Sequence, residues 1–238
     1  MTAGHPDATP GHDTPAPSEP SELPGPGPAR GRFITLEGGE GAGKSTQVAA
    51  LVAWLRDRGF EVVATREPGG APGAEAIRAL LVEGAVDRWQ PMTEALLHAA
   101  ARHEHLAHTV RPALARGAWV VSDRYVESSL AYQGVGQGVG VATVGQIHTL
   151  ANAGEVADLT VLLDLPARTG LARAAGRGDA DRYERFDGAF HDRINTAFRD
   201  LAAAAPQRFR VVDAGQPAAA VTAAVIDAVA RRFGLDHD

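Results

Sequence analysis

The sequence predicts an α/β protein, a five-stranded parallel sheet flanked by helices in three layers. Two observations carry that prediction. From residue 32 onward, short runs rich in β-branched residues alternate with longer helical runs, the pattern of parallel strands joined by helical crossovers that cover both faces of a sheet. The first such run, Phe33-Ile34-Thr35-Leu36-Glu37, leads straight into a glycine-rich loop, and beyond it Val48, Leu51, Val52 and Leu55 fall at i, i+3, i+4 and i+7 of a helix. Gly59 suits a left-handed cap that ends this helix. The remaining strands are read at Glu61 to Thr65, Trp119 to Asp123, Leu159 to Asp164 and Phe209 to Asp213. Helices are expected at about 73–83, 92–115, 141–152, 167–175, 188–204 and 217–232, the long one bent at Pro112, where a backbone donor is missing. The Gly-rich stretch from Gly134 to Gly140 follows a helical segment rather than a strand, so it reads as a flexible connector and not a dinucleotide fingerprint.

Composition narrows the function. A chain of 238 residues with 45% hydrophobic content suits one globular α/β domain, with room for a small mobile lid. There is no cysteine, which excludes disulfides, thiolate catalysis and Cys-ligated metal. The net charge of −6 argues against broad nucleic-acid binding. No apolar run approaches the roughly 18 residues a membrane span needs, and the N-terminus lacks the order of a signal peptide. A cytoplasmic protein is therefore expected. Residues 1–30, dominated by Pro, Gly, Ala, Ser and acidic side chains, are expected to be a disordered extension of a domain spanning 31–238.

The loop itself points to a phosphate. Gly38-Gly39-Glu40-Gly41-Ala42-Gly43-Lys44-Ser45 matches the P-loop pattern G-x-x-x-x-G-K-[ST], in which backbone N–H groups and a helix N-terminus cradle nucleotide phosphates. Lys44 is the single lysine among 23 basic side chains. A compact ammonium on a flexible stem can follow a transferring phosphoryl group in a way a planar guanidinium does not. Residues Gly38 through Thr46 are thus expected to hold ATP, with the Ser45 hydroxyl on Mg²⁺. Asp123, an acid closing an apolar run, occupies the Walker-B position for the same ion. Arg66 and Arg124 end or follow two strands, and two cations aimed at one cleft suit a pair of phosphorylated substrates.

With Thr65-Arg66-Glu67-Pro68-Gly69-Gly70, Ala100-Ala101-Arg102, Asp123-Arg124-Tyr125, Ser128 to Gly134 and Asp181-Arg182-Tyr183-Glu184 added, the chain resembles the thymidylate kinase family over about residues 32 to 233. The resemblance implies transfer of the ATP γ-phosphate to dTMP with Mg²⁺, in a P-loop NTPase fold that usually forms homodimers. It implies that Arg66 and Arg124 hold the dTMP phosphate, Arg102 reaches a thymine carbonyl, Ser129 bonds the base edge and Tyr132 crowds the sugar 2′ position. Gln133 lines the same pocket, and Glu40 meets the 3′-hydroxyl. The stretch at about 176–187 has the glycines and charges of a closing lid. Since Gly41 and Ala42 leave the loop without a cation, a lid arginine is expected at the transferring phosphate, with Arg177 and Arg182 as candidates ahead of Arg185.

One position departs from the family. His98 stands where an aromatic ring, usually phenylalanine, stacks on thymine, and an imidazole that titrates near neutral pH implies pH-dependent base affinity. The cluster His103, Glu104, His105 and His108 misses H-E-x-x-H spacing, so no histidine metal ligand is expected. Two other readings share the loop. A deoxynucleoside kinase is disfavoured by two arginines suited to an acceptor that already carries phosphate. A GTPase or ATPase switch is disfavoured because a chain with one lysine has no N-K-x-D motif and no second signature lysine.

Overall fold

The computed structural model describes residues 1–2, 30–176 and 182–235. Five strands form one parallel sheet: β1 (Phe33–Glu37), β2 (Val62–Arg66), β3 (Trp119–Asp123), β4 (Leu159–Asp164) and β5 (Phe209–Asp213), in the order β2-β3-β1-β4-β5. The order places β1 at the centre and turns the chain to opposite sides after it, which opens a crevice beyond the carboxyl ends of β1 and β3. Register brings Leu36 and Arg66 to the level of Asp123 on the two sides of β3, so the three strand ends share one rim.

Alternate residues of each strand face opposite layers. Ile34 and Leu36 pack with Leu51 and Leu55 of α1 (Lys44–Asp57) and Val225 and Val229 of α9 (Ala218–Phe233). Phe33 and Val120 face the other way, onto Leu106, Val110 and Leu114, while Leu162 and Phe209 meet Phe190, Ile194 and Phe198 of α8 (Gly188–Ala204). Gly59 has φ 83°, and the bonds from Gly59 N to Arg56 O and from Phe60 N to Leu55 O form a Schellman cap on α1. Asp187 caps α8 by accepting from Phe190 N at 2.7 Å.

Two expectations change. The long helix is α3 (Pro91–His105), a π-turn over Leu106–Val110 and α4 (Arg111–Ala115), with α2 (Pro72–Val82) packed alongside. Arg111 N donates to Leu106 O, five residues back. The irregularity therefore lies ahead of Pro112, where the wider turn leaves room for a ring that would otherwise meet the carbonyl of residue 108. The Gly-rich stretch is likewise built into the fold. The helical segment ahead of it, α5 (Val126–Ser129), continues as a π-turn over Leu130–Gly136, and Gln137, Val139 and Gly140 donate back to Tyr132, Gln133 and Gly134 at 2.8 to 3.0 Å. At Gly136 a β-carbon would stand 2.7 Å from Phe190 and Ile194. Close packing explains this glycine. The remaining helices are α6 (Val141–Asn152) and α7 (Ala167–Ala175). Among the described residues no helix is long and apolar enough to cross a membrane.

Candidate active site

The phosphate loop is the turn between β1 and α1. Gly41 and Gly43 have φ of 67° and 92°, and a β-carbon on Gly41 would lie 1.9 Å from the Gly170 carbonyl. Glycine is required there by backbone and neighbour alike. Lys44 is buried beneath the loop, its Nζ donating to Gly38 O at 3.1 Å and Gly39 O at 2.9 Å. Burial first, and Arg124 second, lower its pKa, against the opposing charges of Glu40, Asp123 and Glu37. Ser45 and Thr46 are exposed at the helix start. The Ser45 hydroxyl donates to Asp123 Oδ2 at 2.7 Å, bringing together the two groups expected around Mg²⁺. A hydroxyl and a carboxylate are hard oxygen donors, and Mg²⁺ fills its other positions with water and phosphate oxygens.

Arg124 turns from the end of β3 toward this loop. Its φ of 71° is unusual for a residue with a side chain. Its backbone is tied on both sides: Arg124 N donates to Leu36 O and the Ser122 hydroxyl to Arg124 O. Buried Glu37 accepts from Tyr125 N and the Ser128 hydroxyl at 2.7 Å each. Burial, with Glu127 nearby, pushes the Glu37 carboxyl up to about 8. So placed, the Arg124 guanidinium donates to Gly38 O at 3.1 Å, Ser128 Oγ at 3.0 Å and Glu40 Oε1 at 2.7 Å. Glu40 also accepts from the Tyr132 hydroxyl at 2.7 Å. Burial alone raises the Glu40 pKa, but Arg124, Lys44 and Tyr132 together hold it down at about 2.

Beside Arg124 lies a cavity between α2, α3 and the helix after β3. Arg102 reaches it from α3, with Nε on Glu67 Oε2 at 2.8 Å and Nη2 on Ser129 Oγ at 2.9 Å. Gln133 and Tyr132 come from the π-turn, and His98 and Tyr183 close the far wall. A second, polar cavity adjoins it, lined by Gly41, Gly43, Lys44, Ser45, Asp123 and Arg66, and the two share Glu40, Glu67, Arg78 and Arg124.

The thymidylate kinase family model matches residues 36–225. A thymidylate kinase of Rhizorhabdus wittichii is 54% identical over 202 residues, covering 84% of this chain and 97% of that protein. One from Caulobacter vibrioides is 50% identical over 206 residues, covering 87% and 99%. The crystal structure of the Ehrlichia chaffeensis thymidylate kinase superposes with a TM-score of 0.67 at 30% identity, covering 86% of this chain and 99% of that one. The chain belongs to the thymidylate kinase family. Of the residues its resemblance to thymidylate kinases assigns to the acceptor, Glu40, His98, Arg102, Arg124, Ser129, Tyr132 and Gln133 line the first cavity, and Arg66 lines the adjoining one. Arg66 itself is half-exposed and paired with both oxygens of Glu75 at 3.2 and 3.1 Å.

Three expectations need correction or fall outside the structure. Arg182 does not stand at the phosphate loop as a mobile lid cation. It is fully buried, donating to Leu81 O and Val86 O at 2.8 Å each and paired with Glu94. Five fixed donors suit it to that crossing, so Arg182, read as part of a lid, is fixed against α2, the turn after it and α3. Arg177 lies outside the described residues. His98 does not titrate near neutrality, because burial, then the charges of Arg102, Arg182, Arg124 and Arg78, lower its pKa to about 3. The expected pH dependence of base affinity therefore does not arise from it. Its Nε2 is 2.8 Å from the Tyr183 hydroxyl.

Sequence reasoning missed Arg78 and Glu67. Arg78 lines both cavities and donates to Pro68 O at 2.7 Å. It follows Ala74 by four residues and precedes Leu81 by three, both buried, so an arginine on the inward stripe of α2 was the available signal. Glu67 is buried and accepts from Arg102 and pairs with His105. Although burial opposes it, Arg102 and His105 lower its pKa. Among the described residues no group of three or more His, Cys, Asp or Glu is placed to hold an ion.

Proposed function

We propose that the chain transfers the γ-phosphate of ATP to dTMP, giving dTDP and ADP for dTTP synthesis, by in-line displacement in the cleft shared by the two cavities. One observation carries this reading: Lys44 Nζ and Arg124 Nη1 donate to the same carbonyl, Gly38 O, each at 3.1 Å. The donor-side and acceptor-side cations thus converge on one point, where charge would build between two phosphates. Ser45 and Asp123 would hold Mg²⁺, which when bound neutralises phosphate charge and orients the donor. No strong general base is needed, since the attacking phosphate oxygen is already anionic. Positioning and charge neutralisation do the work.

Arg66 and Arg124 take the dTMP phosphate, with Arg78 entering from α2. Glu40, held ionised, accepts from the sugar 3′-hydroxyl, and the Tyr132 ring crowds the 2′ position. Arg102 and Ser129 face a thymine carbonyl, Gln133 faces N3, and His98 stacks on the ring as a neutral imidazole. His98→Ala is expected to raise the dTMP KM severalfold, and an unchanged KM contradicts stacking. For the reaction as a whole, ³¹P NMR is expected to show ADP and dTDP appearing in equal amounts. ADP accompanied by free phosphate in place of dTDP, or full turnover in EDTA, contradicts it.

Helices α3 and α6 pack side by side and present one face. Leu96 and Met92 of α3 and Leu150 and Val141 of α6 are exposed, and Leu96, Ala100 and Ile147 line one groove between the helices. Exposed apolar patches of this kind mark association surfaces. A second copy of the chain is the proposed occupant, as the family resemblance implies. Sedimentation is expected to give a dimer for the wild type and a monomer for Leu96→Glu/Leu150→Glu. A monomeric wild type overturns the assignment.

A further inference from the structure

Glu94 is a fully buried carboxylate on α3, one turn before His98. Its Oε1 accepts from Gln133 Nε2 at 2.9 Å, Gln137 Nε2 at 2.6 Å and the Tyr183 hydroxyl at 3.0 Å, and its Oε2 accepts from Arg182. One side chain therefore joins α3, the π-turn that carries Gln133 and the segment that carries Arg182 and Tyr183. Arg182 supplies the opposite charge to this buried carboxylate.

A carboxylate only accepts hydrogen bonds, so an amide facing it presents its NH₂. The orientation of the Gln133 amide is thus set by chemistry. The consequence is visible at the other end of the same group. Gln133 lines the acceptor cavity, is 1% exposed, and its Oε1 is buried with no partner among the described residues. Buried polar atoms without partners are rare in folded proteins, and this one belongs to a residue on a cavity wall.

We propose that Glu94 is a positioning residue for base specificity: by holding Gln133 Nε2, it fixes Gln133 Oε1 as an acceptor toward the cavity and so selects a pyrimidine bearing N3–H. The proposal rests on the dTMP reading above. Thymine carries a hydrogen at N3, whereas cytosine has a lone pair there. Cytosine would set two acceptors against each other. The amide cannot turn to repair this, because turning would bring its oxygen against the Glu94 carboxylate. Sites built around a fixed polar partner reject an analogue that lacks the matching group far more strongly than apolar pockets do.

The test is the ratio of kcat/KM for dTMP to that for dCMP. In Glu94→Gln the new amide can offer its own hydrogens to Gln133 Oε1, which frees the Gln133 amide to turn. The ratio is expected to fall tenfold or more, with kcat/KM lower for dTMP and higher for dCMP. General loosening of the core would lower both alike and leave the ratio standing, an outcome that overturns the proposal. Because Glu94 acts through Gln133, adding Glu94→Gln to Gln133→Leu is expected to change the ratio no further; an added tenfold fall contradicts the route. Gln137→Leu removes another donor to Glu94 but lies outside the acceptor cavity, and is expected to keep the wild-type ratio. Should Glu94→Gln not fold, Glu94→Asp keeps the charge facing Arg182, withdraws the carboxylate from Gln133 and carries the same expectation. A wild-type enzyme that does not prefer dTMP over dCMP counts against the dTMP reading itself. A preference that survives the Glu94 variants counts against Glu94.

Discussion

Lys44→Ala is expected to lower kcat by about a hundred- to a thousandfold, the usual effect of removing one preorganised donor from a transferring group, with the dTMP KM near wild type. Lys44 lies under the loop and contacts Gly38 and Gly39 carbonyls, not the acceptor cavity. Its charge is therefore placed for the phosphate in flight rather than for acceptor binding. Loss of the side chain leaves α1 seated by Val48, Leu51, Val52 and Leu55, so the thermal midpoint should move little. Steady-state kinetics with a melting curve check both parts. Retained turnover in a folded variant removes Lys44 from the mechanism.

The second large effect is at Arg124. Arg124→Ala removes charge-assisted bonds that are each worth about 1.5–3 kcal/mol, and the dTMP KM is expected to rise about 10- to 100-fold or more. It also strands Glu40, whose partner it is at 2.7 Å, with both side chains largely buried. Breaking such a pair costs about 3–5 kcal/mol. The pH dependence should shift as well. In the wild type, with Glu40 held at about 2, its stabilising contribution is complete above the unfolded carboxylate pKa and is lost as pH falls toward 2. Without Arg124, burial is opposed only by Lys44, Tyr132 and His191, so the Glu40 pKa should rise and its stabilising contribution at neutral pH should shrink. Urea denaturation at several pH values from about 3 to 8 measures this. A variant as stable as the wild type throughout contradicts the role given to the pair. Arg124→Lys keeps the charge without the fork and should fall between them.

The sheet, its strand ends and the phosphate loop were legible because their signals are local. A strand running into glycines and then a helix with Val48, Leu51, Val52 and Leu55 on one face specifies its own geometry within some twenty-five residues. Of the residues that line the two cavities, Arg66 and Arg124 could be named from the strand ends, but His98 and Gln133 only through motif resemblance, since they come from separate stretches that the fold brings together. What escaped was direction. The run at Asp181 to Glu184 names an arginine but not where it points, and Arg182 points into the body because Leu81 O, Val86 O and Glu94 wait there. No role was read for Glu94 or Arg78. Arg78 shares the inward stripe of α2 with Ala74 and Leu81, but what Glu94 meets follows from how α3 packs against segments distant in sequence, which no local pattern states. The two π-turns were equally hidden, since each depends on a one-residue slip in hydrogen bonding rather than on composition.

In the proposed reaction one cleft holds the donor phosphate on Lys44 and a thymine nucleotide phosphate on the arginines. An acceptor panel with ATP and Mg²⁺, measuring ADP release with dTMP, dCMP, AMP and GMP in turn, tests it most directly. ADP release is expected to be strongly stimulated by dTMP and only weakly by the other three. Stimulation by dTMP no greater than by dCMP, AMP or GMP contradicts it.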